Sequence, residues 1–355
     1  MTFLIGKLVK DRVLAGKQAI NELYNTGYYG RPKGDTLELT LVEAAYLLYK
    51  KKLDIESQGR VLDFEEFFTE ASKMQQYFEL KYIVYKDLKE RGFYVQPSVT
   101  DFRVYPRGGH PGKTPAKSFV YVRSERIPMP LPDLLTSLTA ADNVHKQMVL
   151  AIVDEESDLT YYEVKKVNVK GGMPGISALQ GPVRSTLLED RVIVWDASSS
   201  QHLHQTSFYG KPLDDERLQL SLVESAYLME RGCIIIENSE TGRPLDINDF
   251  SGVASSIEPD FLRKYRAYAD LRDSGLVPKT GFKFGTHFRV YSQVSLTEKM
   301  PHSEYLLHAI PWDHVFILPV MSRAVRLANS VRKRMLYAVE DRGIISYIDI
   351  GRIKM

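Results

Sequence analysis

Three side chains near the C-terminus have the chemistry to act together on one phosphodiester bond. Tyr291 ends the segment FRVY, His302 opens HSEYLLHAI, and Lys333 lies in SRAVRLANSVRKRM. In RNA, the ribose 2′-hydroxyl can attack its own phosphate if a base activates it, an acid protonates the leaving 5′ oxygen and a cation stabilises the charge on the phosphate. A tyrosine, a histidine and a lysine can fill these roles in that order.

The tyrosine is the least obvious member of this set. At an ordinary pKa of about 10, roughly one tyrosine in a thousand is ionised at pH 7. Tyr291 therefore either has its pKa lowered by nearby cations or orients the 2′-hydroxyl without ionising. The sequence leaves both roles open.

Patterns for metal and nucleotide binding are incomplete. No HxxxH or CxxC lies near the three residues, and His202 and His204 have no obvious third ligand. The segment RGGHPGKT (107–114) departs from the phosphate-binding motif GxxxxGK[ST] at Arg107, where the motif needs glycine, and Pro115 disfavours an immediate helix. We therefore expect neither a metal ion nor a cofactor.

The chain is predicted to be a tandem duplication. Four blocks recur in the same order at offsets of 180 to 187 residues, and each copy is long enough for its own core. We predict a first repeat at 1–172, a Gly- and Pro-rich linker at 173–185 and a second repeat at 186–355, whose C-terminal nuclease subdomain begins at about 282. The recurring blocks are 28–48 with 208–229, 78–92 with 261–275, 101–109 with 287–295, and 141–155 with 328–342.

Each repeat is predicted to begin with two helices. The first helix opens with a capping box, and the second ends at a glycine that can adopt a left-handed conformation. These residues are Thr40, Glu43 and Gly92 in the first copy, and Ser221, Glu224 and Gly275 in the second.

Strands and one further helix follow in the second copy. FRVY alternates apolar and polar residues, which predicts a strand with Arg289 and Tyr291 on one face. YLLHAI and GIISYIDI are also predicted strands, and the spacing of Val325, Ala328, Val331, Met335 and Ala338 predicts a helix over 322–339. The fold class is α+β or α/β, with an N-terminal α+β subdomain and a C-terminal nuclease-like subdomain of mixed sheet plus helices in each repeat.

The two copies differ in the residues that could do chemistry. His302 has no counterpart, because the first copy has about Ala116 at that place, and Thr139 replaces Arg326. Eight Lys or Arg accompany three acids from residue 321 to the end, whereas 141–170 has four Lys and six acids. Since a basic surface attracts phosphate, the second repeat is predicted to be catalytic.

The chain resembles the archaeal tRNA-intron splicing endonucleases in their homodimeric form, which has two repeats per chain. The resemblance covers essentially the whole sequence and rests on FRVY, HSEYLLHAI, SRAVRLANSVRKRM and the terminal GRIKM. It implies catalytic roles for Tyr291, His302 and Lys333, and a bulged base held between Arg326 and Arg352. Ser330 is predicted to share one helix face with Arg326 and Lys333 and is added to the RNA-binding set.

The resemblance also implies a substrate and products. The enzyme would cut precursor tRNA at both intron boundaries within a bulge-helix-bulge, without metal, leaving 2′,3′-cyclic phosphate and 5′-hydroxyl ends by transesterification. A homodimer with one competent repeat in each subunit would supply two active sites of matching symmetry. The alternative is a non-catalytic RNA-binding or assembly subunit, for which the intact Tyr–His–Lys set would have no use.

The first copy carries an acidic turn, and the second has fewer acids at the same place. In the resembling family, a similar loop inserts into a basic cleft of the other subunit, which implies an assembly role here. The acidic residues are Asp154, Glu155, Glu156 and Asp158. The first copy also has extra residues around 50–76 and 106–117, to which the sequence assigns no role.

Composition points to a cytoplasmic protein. Cys233 is the one cysteine, so no internal disulfide can form. The sequence contains no apolar run of about 18 residues and no signal-peptide pattern at its N-terminus.

Overall fold

The computed structural model describes residues 4–173, 175–176, 179, 181–294 and 302–355. Part of the predicted linker, at Pro174, Ser177, Ala178 and Gln180, therefore lies outside the described residues. The chain forms two compact units. The first comprises Met1–Lys165, Val315–Met321 and Gly351–Met355, and the second comprises Lys166–His314 and Ser322–Ile350.

The N-terminal part of the first unit is a mixed sheet with helices against it. Its elements are β1 (Ile5–Val9), β2 (Arg12–Ala15), α1 (Lys17–Ala19), a π-helical turn (Ile20–Tyr24), α2 (Asn25–Gly27), β3 (Arg31–Lys33), β4 (Thr36–Thr40), α3 (Leu41–Tyr49), β5 (Asp54–Ser57), β6 (Arg60–Leu62), α4 (Phe64–Met74) and α5 (Phe78–Glu90). The strand order is β3-β4-β2-β1-β5-β6, with β1 parallel to β5 and the other neighbours antiparallel.

The C-terminal part of the first unit is a second mixed sheet. Its elements are β7 (Val95–Ser98), β8 (Asp101–Val104), β9 (Ser118–Ser124), β10 (Met129–Pro130), α6 (Leu131–Asp142), β11 (Gln147–Val153) and β12 (Leu159–Val167). The order is β7-β8-β9-β11-β12, and only the β9–β11 pair in this series is parallel. The helix α6 lies in the crossover connection that joins the parallel strands β9 and β11.

The second copy of the sequence repeats this plan. Its elements are β13 (Val183–Leu188), β14 (Arg191–Val194), α7 (Ala197–Ser207), β15 (Lys211–Pro212), β16 (Leu218–Leu220), α8 (Leu222–Glu230), β17 (Ile234–Asn238), α9 (Ile247–Ile257), α10 (Phe261–Asp273), β18 (Val277–Thr280), a 3₁₀ turn (Phe282–Phe284), β19 (Phe288–Tyr291), β20 (Tyr305–Pro311), β21 (Val315–Phe316), α11 (Leu318–Ser330), β22 (Arg334–Asp341) and β23 (Ile344–Ile353). The residues of β21 belong to the first unit, where they pair with β10.

Two sheets form in the second unit. The strands run β15-β16-β14-β13-β17 in one and β18-β19-β20-β22-β23 in the other, where β20 and β22 are parallel. A hydrophobic core that includes Phe250, Phe261, Leu271, Val290 and Leu336 lies between the strands and the helices α8, α9 and α10. The predicted tandem duplication and α+β fold class are confirmed.

The predicted helix ends are confirmed in both copies. The backbone N–H of Thr40 donates to the Glu43 carboxylate at 3.0 Å, and that of Ser221 donates to Glu224 at 3.0 Å. Such caps satisfy donors that a helix leaves unpaired, and each contributes about 1 kcal/mol. Gly92 and Gly275 follow α5 and α10 with φ of +85° and +75°, a conformation that strains residues with a Cβ.

The predicted helix over 322–339 is wrong in its C-terminal half. The helix α11 ends at Ser330, and Met335 and Ala338 lie instead in β22. Lys333 therefore does not share a helix face with Arg326 and Ser330. The chain leaves the helix through Arg332, whose φ is +57°, so that the next residues can enter the sheet.

Candidate active site

Three backbone segments that carry Tyr291, His302 and Lys333 meet at one end of a sheet. The strand β19 runs antiparallel to β20, and β20 runs parallel to β22. The C-terminal end of β19 and the N-terminal ends of β20 and β22 therefore lie at the same end of the sheet. The backbone N–H of Glu304 donates to Val290 O, and that of Arg334 donates to Glu304 O, each at 3.0 Å.

Lys333 is held in a tight turn between α11 and β22. Its backbone N–H donates to Ala328 O at 2.8 Å, and its Nζ donates to Ser303 O at 2.6 Å. The side chain is only 7% exposed. Because an ammonium group has three donors, the bond to Ser303 leaves two for an incoming phosphate.

The surroundings of Lys333 favour loss of its proton. Burial lowers the pKa of Lys333 from its usual 10.5, and the positive charge of Arg289 lowers it further. A bound phosphate would oppose both effects, since an opposite charge favours the protonated amine.

Tyr291 closes β19 with its ring buried. It is 4% exposed and packs with Val277 and Val294. The guanidinium carbon of Arg289 lies 5.8 Å from the ring centroid, so Arg289 and Tyr291 share one strand face as predicted. Burial raises the pKa of Tyr291 from 10.0, and Arg289 only partly opposes this. The shift favours the orienting role over the ionised base.

His302 occupies an exposed position one residue before Ser303. The residues immediately before it, 295–301, lie outside those that the structure describes. The carbonyl of Ser303 links this segment directly to the Lys333 amine. The structure thus brings the backbone of His302 to Lys333, at the sheet edge where Tyr291 ends its strand.

The first repeat provides a direct comparison for His302. Tyr305 pairs with Arg334 in the second copy, and Ser118 pairs with Gln147 in the first. Counting back three residues from Ser118 gives Pro115 as the counterpart of His302, one residue from the predicted Ala116. The first copy has no histidine there in either alignment.

The tyrosine of the first repeat has a different neighbour. Tyr105 donates its hydroxyl hydrogen bond to Gln96 at 2.6 Å. Gln96 pairs with Arg103, and Lys279 pairs with Arg289, so Lys279 occupies the place of Gln96 in the second copy. The Tyr291 hydroxyl has no equivalent acceptor in the described part of the chain.

The side chain of Lys279 binds a buried carboxylate. Its Nζ donates to Glu224 at 3.0 Å and to Gly210 O at 3.1 Å. Burial would raise the pKa of Glu224, but Lys279 and the capping hydrogen bonds lower it below the usual 4.5. Its twin Glu43 accepts from Gly30 N and from Thr40 and forms no such ion pair with any described residue, and burial raises its pKa.

Arg289 is a site residue that sequence reasoning missed. Its guanidinium lies over the ring of Tyr291, and its positive charge lowers the pKa of Lys333. Its Nε is buried without a hydrogen-bond partner among the described residues. Because the first copy has Arg103 at the same position of FRVY, comparison of the repeats could not single it out.

The predicted RNA-binding residues occupy two elements. Arg326 and Ser330 are exposed on α11, and the Ser330 hydroxyl donates to Leu327 O at 2.7 Å. Arg352 is exposed in β23, in the short C-terminal segment that belongs to the first unit.

The acidic residues occupy the turn between β11 and β12. Asp154 Oδ1 accepts from the backbone N–H groups of Glu156 and Asp158 at 3.0 and 2.8 Å, so this carboxylate shapes the turn. Glu155 pairs with Arg126 at 2.5 Å. The side chains of Glu156 and Asp158 are exposed and are the ones available to another molecule.

The described part of the chain contains no group of three His, Cys, Asp or Glu side chains arranged to hold a metal ion. Among the same residues, no helix is long and apolar enough to span a membrane.

Comparison with known proteins gives matches over nearly the whole sequence. The family model "tRNA intron endonuclease, N-terminal domain" matches residues 4–68 and 183–251. The model "tRNA intron endonuclease, catalytic C-terminal domain" matches 78–161 and 261–347. Each domain thus occurs twice, once in each copy.

Curated relatives match from end to end. The tRNA-splicing endonuclease of Methanococcoides burtonii is 64% identical over 354 residues, which cover 98% of this chain and 99% of the relative. That of Methanosarcina mazei is 62% identical over all of both chains. That of Halobacterium salinarum is 38% identical over 98% of this chain and 99% of the relative.

Proposed function

We propose, from the premise that this chain belongs to the tRNA intron endonuclease family, that Tyr291, His302 and Lys333 form its active site. The chain is an RNA endonuclease that acts on tRNA precursors in splicing. The observation that carries the site assignment is the 2.6 Å bond from Lys333 Nζ to Ser303 O, beside His302. The first repeat, which lacks the histidine, serves as scaffold.

The three residues divide the reaction between them. Tyr291 orients the ribose 2′-hydroxyl. The 2′ oxygen attacks the adjacent phosphorus, and the hydroxyl proton passes to water. The bond from phosphorus to the 5′ oxygen breaks, and His302 protonates that oxygen. Lys333 stabilises the charge on the phosphate oxygens. The products are a 2′,3′-cyclic phosphate and a 5′-hydroxyl end, and no metal ion takes part.

Substrate recognition belongs to the same proposal. The preferred RNA is a bulge-helix-bulge, whose shape can be recognised although the narrow major groove of RNA hides its base edges. Arg326 and Arg352 hold a bulged base by stacking, and Ser330 extends the exposed polar surface of α11. A homodimer in the cytoplasm presents two such sites, and the turn at 154–158 contributes to its assembly. The two occurrences of each family model support two repeats, and the boundaries at 172 and 186 are part of the proposal.

The test is cleavage without metal. Purified protein is incubated in EDTA with an intron-containing precursor tRNA, and the ends are analysed. We expect two cuts, each with a 2′,3′-cyclic phosphate and a 5′-hydroxyl. Cleavage that requires added metal, or 3′-hydroxyl products, would contradict the mechanism. Binding with no cleavage under any condition would favour a non-catalytic assembly subunit.

A further inference from the structure

An exposed aromatic side chain lies on the turn that leads into the active-site strand. Phe282 is 86% exposed and begins the 3₁₀ turn Phe282–Phe284 between β18 and β19. Exposing a phenylalanine ring to water is unfavourable by about 25 cal/mol per Å². Its presence at the tip of a turn calls for a partner that covers it.

The turn is closed by hydrogen bonds within the chain. Phe284 N donates to Gly281 O at 2.8 Å, and Gly285 N donates to Phe282 O at 3.0 Å. The buried hydroxyl of Thr286 lies 3.4 Å from Gly281 O and 3.2 Å from Phe288 O. Because the turn is already ordered, binding through Phe282 would cost little conformational entropy.

The turn lies beside the proposed active site. The ring of Phe284 is 5.9 Å from Lys333 Nζ. Phe282 is two residues away on a 3₁₀ helix, whose rise is about 2 Å per residue. Because a 3₁₀ helix also turns by about 120° per residue, the two rings point in different directions, and a group stacked on Phe282 would lie within a few nucleotides of a phosphate held by Lys333.

The charges around Phe282 favour an anionic partner. Phe282 lines a cavity of about 1240 Å³ whose wall includes five Lys or Arg and three acids. The three acids form ion pairs within this wall: Asp190 with Arg191, Glu224 with Lys279 and Glu258 with Lys264. Lys211 and Arg289 have no acid partner among the described residues, which leaves the wall positive.

The first repeat lacks this feature. Its β7 and β8 are joined by residues 99–100 alone, with Val99 exposed at the tip, whereas 281–287 join β18 and β19. The longer connection with its exposed ring thus occurs only in the repeat that is proposed to be catalytic.

We propose that Phe282 is a stacking platform for an unpaired base of the RNA substrate, close to the cleavage site. An aromatic ring beside uncompensated cations is the combination that binds single-stranded nucleic acid, because every base has a face on which a ring can stack. This inference rests on the proposed function. It assigns a base contact separate from the one proposed for Arg326 and Arg352.

The test measures binding apart from cleavage. The substrate is a precursor tRNA with 2′-deoxyribose at both cut positions, which the proposed mechanism cannot cleave. Phe282→Ala should weaken its binding about 5- to 100-fold, the range for loss of one stacked base. Phe282→Trp should retain affinity, and Val99→Ala in the first repeat serves as the matched control.

An abasic substitution identifies the base. Each unpaired base of the substrate is removed in turn. At one position, removal should weaken binding by wild type but should not weaken binding by Phe282→Ala any further. Equal affinities of wild type and Phe282→Ala, or equal losses at every position, would overturn the inference. So would a Phe282→Ala protein whose mass in solution changes while its RNA affinity does not, since the ring would then cover a protein surface. Failure of the proposed function gives a different result: the wild type would then not cut the all-ribose substrate.

Discussion

At the scale of single residues, the environments of Tyr291 and Lys333 both favour uncharged side chains before RNA binds. Burial raises the pKa of Tyr291 and lowers that of Lys333, and Arg289 lies near both. An uncharged phenol can donate or accept a hydrogen bond, which suits an orienting group. The amine must be protonated to stabilise a phosphate, so its role depends on pH.

We predict that the cleavage rate falls at alkaline pH as Lys333 loses its proton. Because its folded-state pKa is lowered, the fall should begin below the usual 10.5. The guanidinium of Lys333→Arg stays protonated throughout pH 7 to 9.5. This variant should cut more slowly than wild type, but its rate should not fall at alkaline pH. Single-turnover rates at sub-saturating protein, which report the free protein rather than the RNA complex, compare the two from pH 7 to 9.5. The same decline in both proteins would remove Lys333 as its cause.

His302→Ala should reduce cleavage about 100- to 10,000-fold, the usual contribution of a general acid, and leave RNA affinity unchanged. A substrate with sulfur in place of the leaving 5′ oxygen needs no acid, since a thiolate leaves without protonation. The variant should therefore cut that substrate about as fast as wild type. The control is His145→Ala, at an exposed histidine of the first repeat. If sulfur does not rescue the rate, His302 is not the acid.

At the scale of elements, the sequence predicts the repeats, the capping boxes and the strand FRVY, because these follow local rules. The predicted helix over 322–339 fails after Ser330 since Met335 and Ala338 belong to the continuous apolar run of β22, whose residues 335–339 are all buried. A short apolar run cannot distinguish a buried strand from a helix. Contacts such as Lys279 with Glu224 could not be predicted, because they join elements that lie 55 residues apart.

The Lys279–Glu224 pair supports a prediction about stability. In Lys279→Gln, Glu224 loses its cation, and its pKa should rise as that of Glu43 does. Removal of one partner of a buried pair costs about 3–5 kcal/mol. The loss should be largest at neutral pH and shrink as pH falls toward 4.5, because protonation then removes the unpaired charge.

Denaturant unfolding at pH 5 and pH 7.5 measures this difference. The double variant Lys279→Gln with Glu224→Gln is the control and should regain most of the lost stability at pH 7.5. A single variant with the same loss at both pH values would show that the charge of Glu224 is not responsible.

At the scale of the whole molecule, the two copies differ in ways that fit the proposed division into a catalytic and an assembly repeat. The second repeat has the histidine, a tyrosine hydroxyl without a hydrogen-bond acceptor among the described residues, and the exposed aromatic turn. In the first repeat, Gln96 binds the tyrosine and proline replaces the histidine. Its turn at 154–158 carries exposed acids that take no part in the proposed reaction. If that turn contacts a second copy of the chain, both halves are needed for two cuts in one RNA.

Assembly can be tested at the turn without disturbing its fold. Asp154 caps the turn and Glu155 pairs with Arg126, so the change should be confined to Glu156→Lys with Asp158→Lys. Wild type should have a mass of about 81 kDa in solution, twice the 40.5 kDa of one chain, and the variant should shift toward the single-chain mass with unchanged thermal stability of each unit. Asp341→Lys, at the equivalent hairpin of the second repeat, should remain dimeric. Light scattering at several concentrations distinguishes these states, and a variant that stays at the wild-type mass would exclude the turn from the interface.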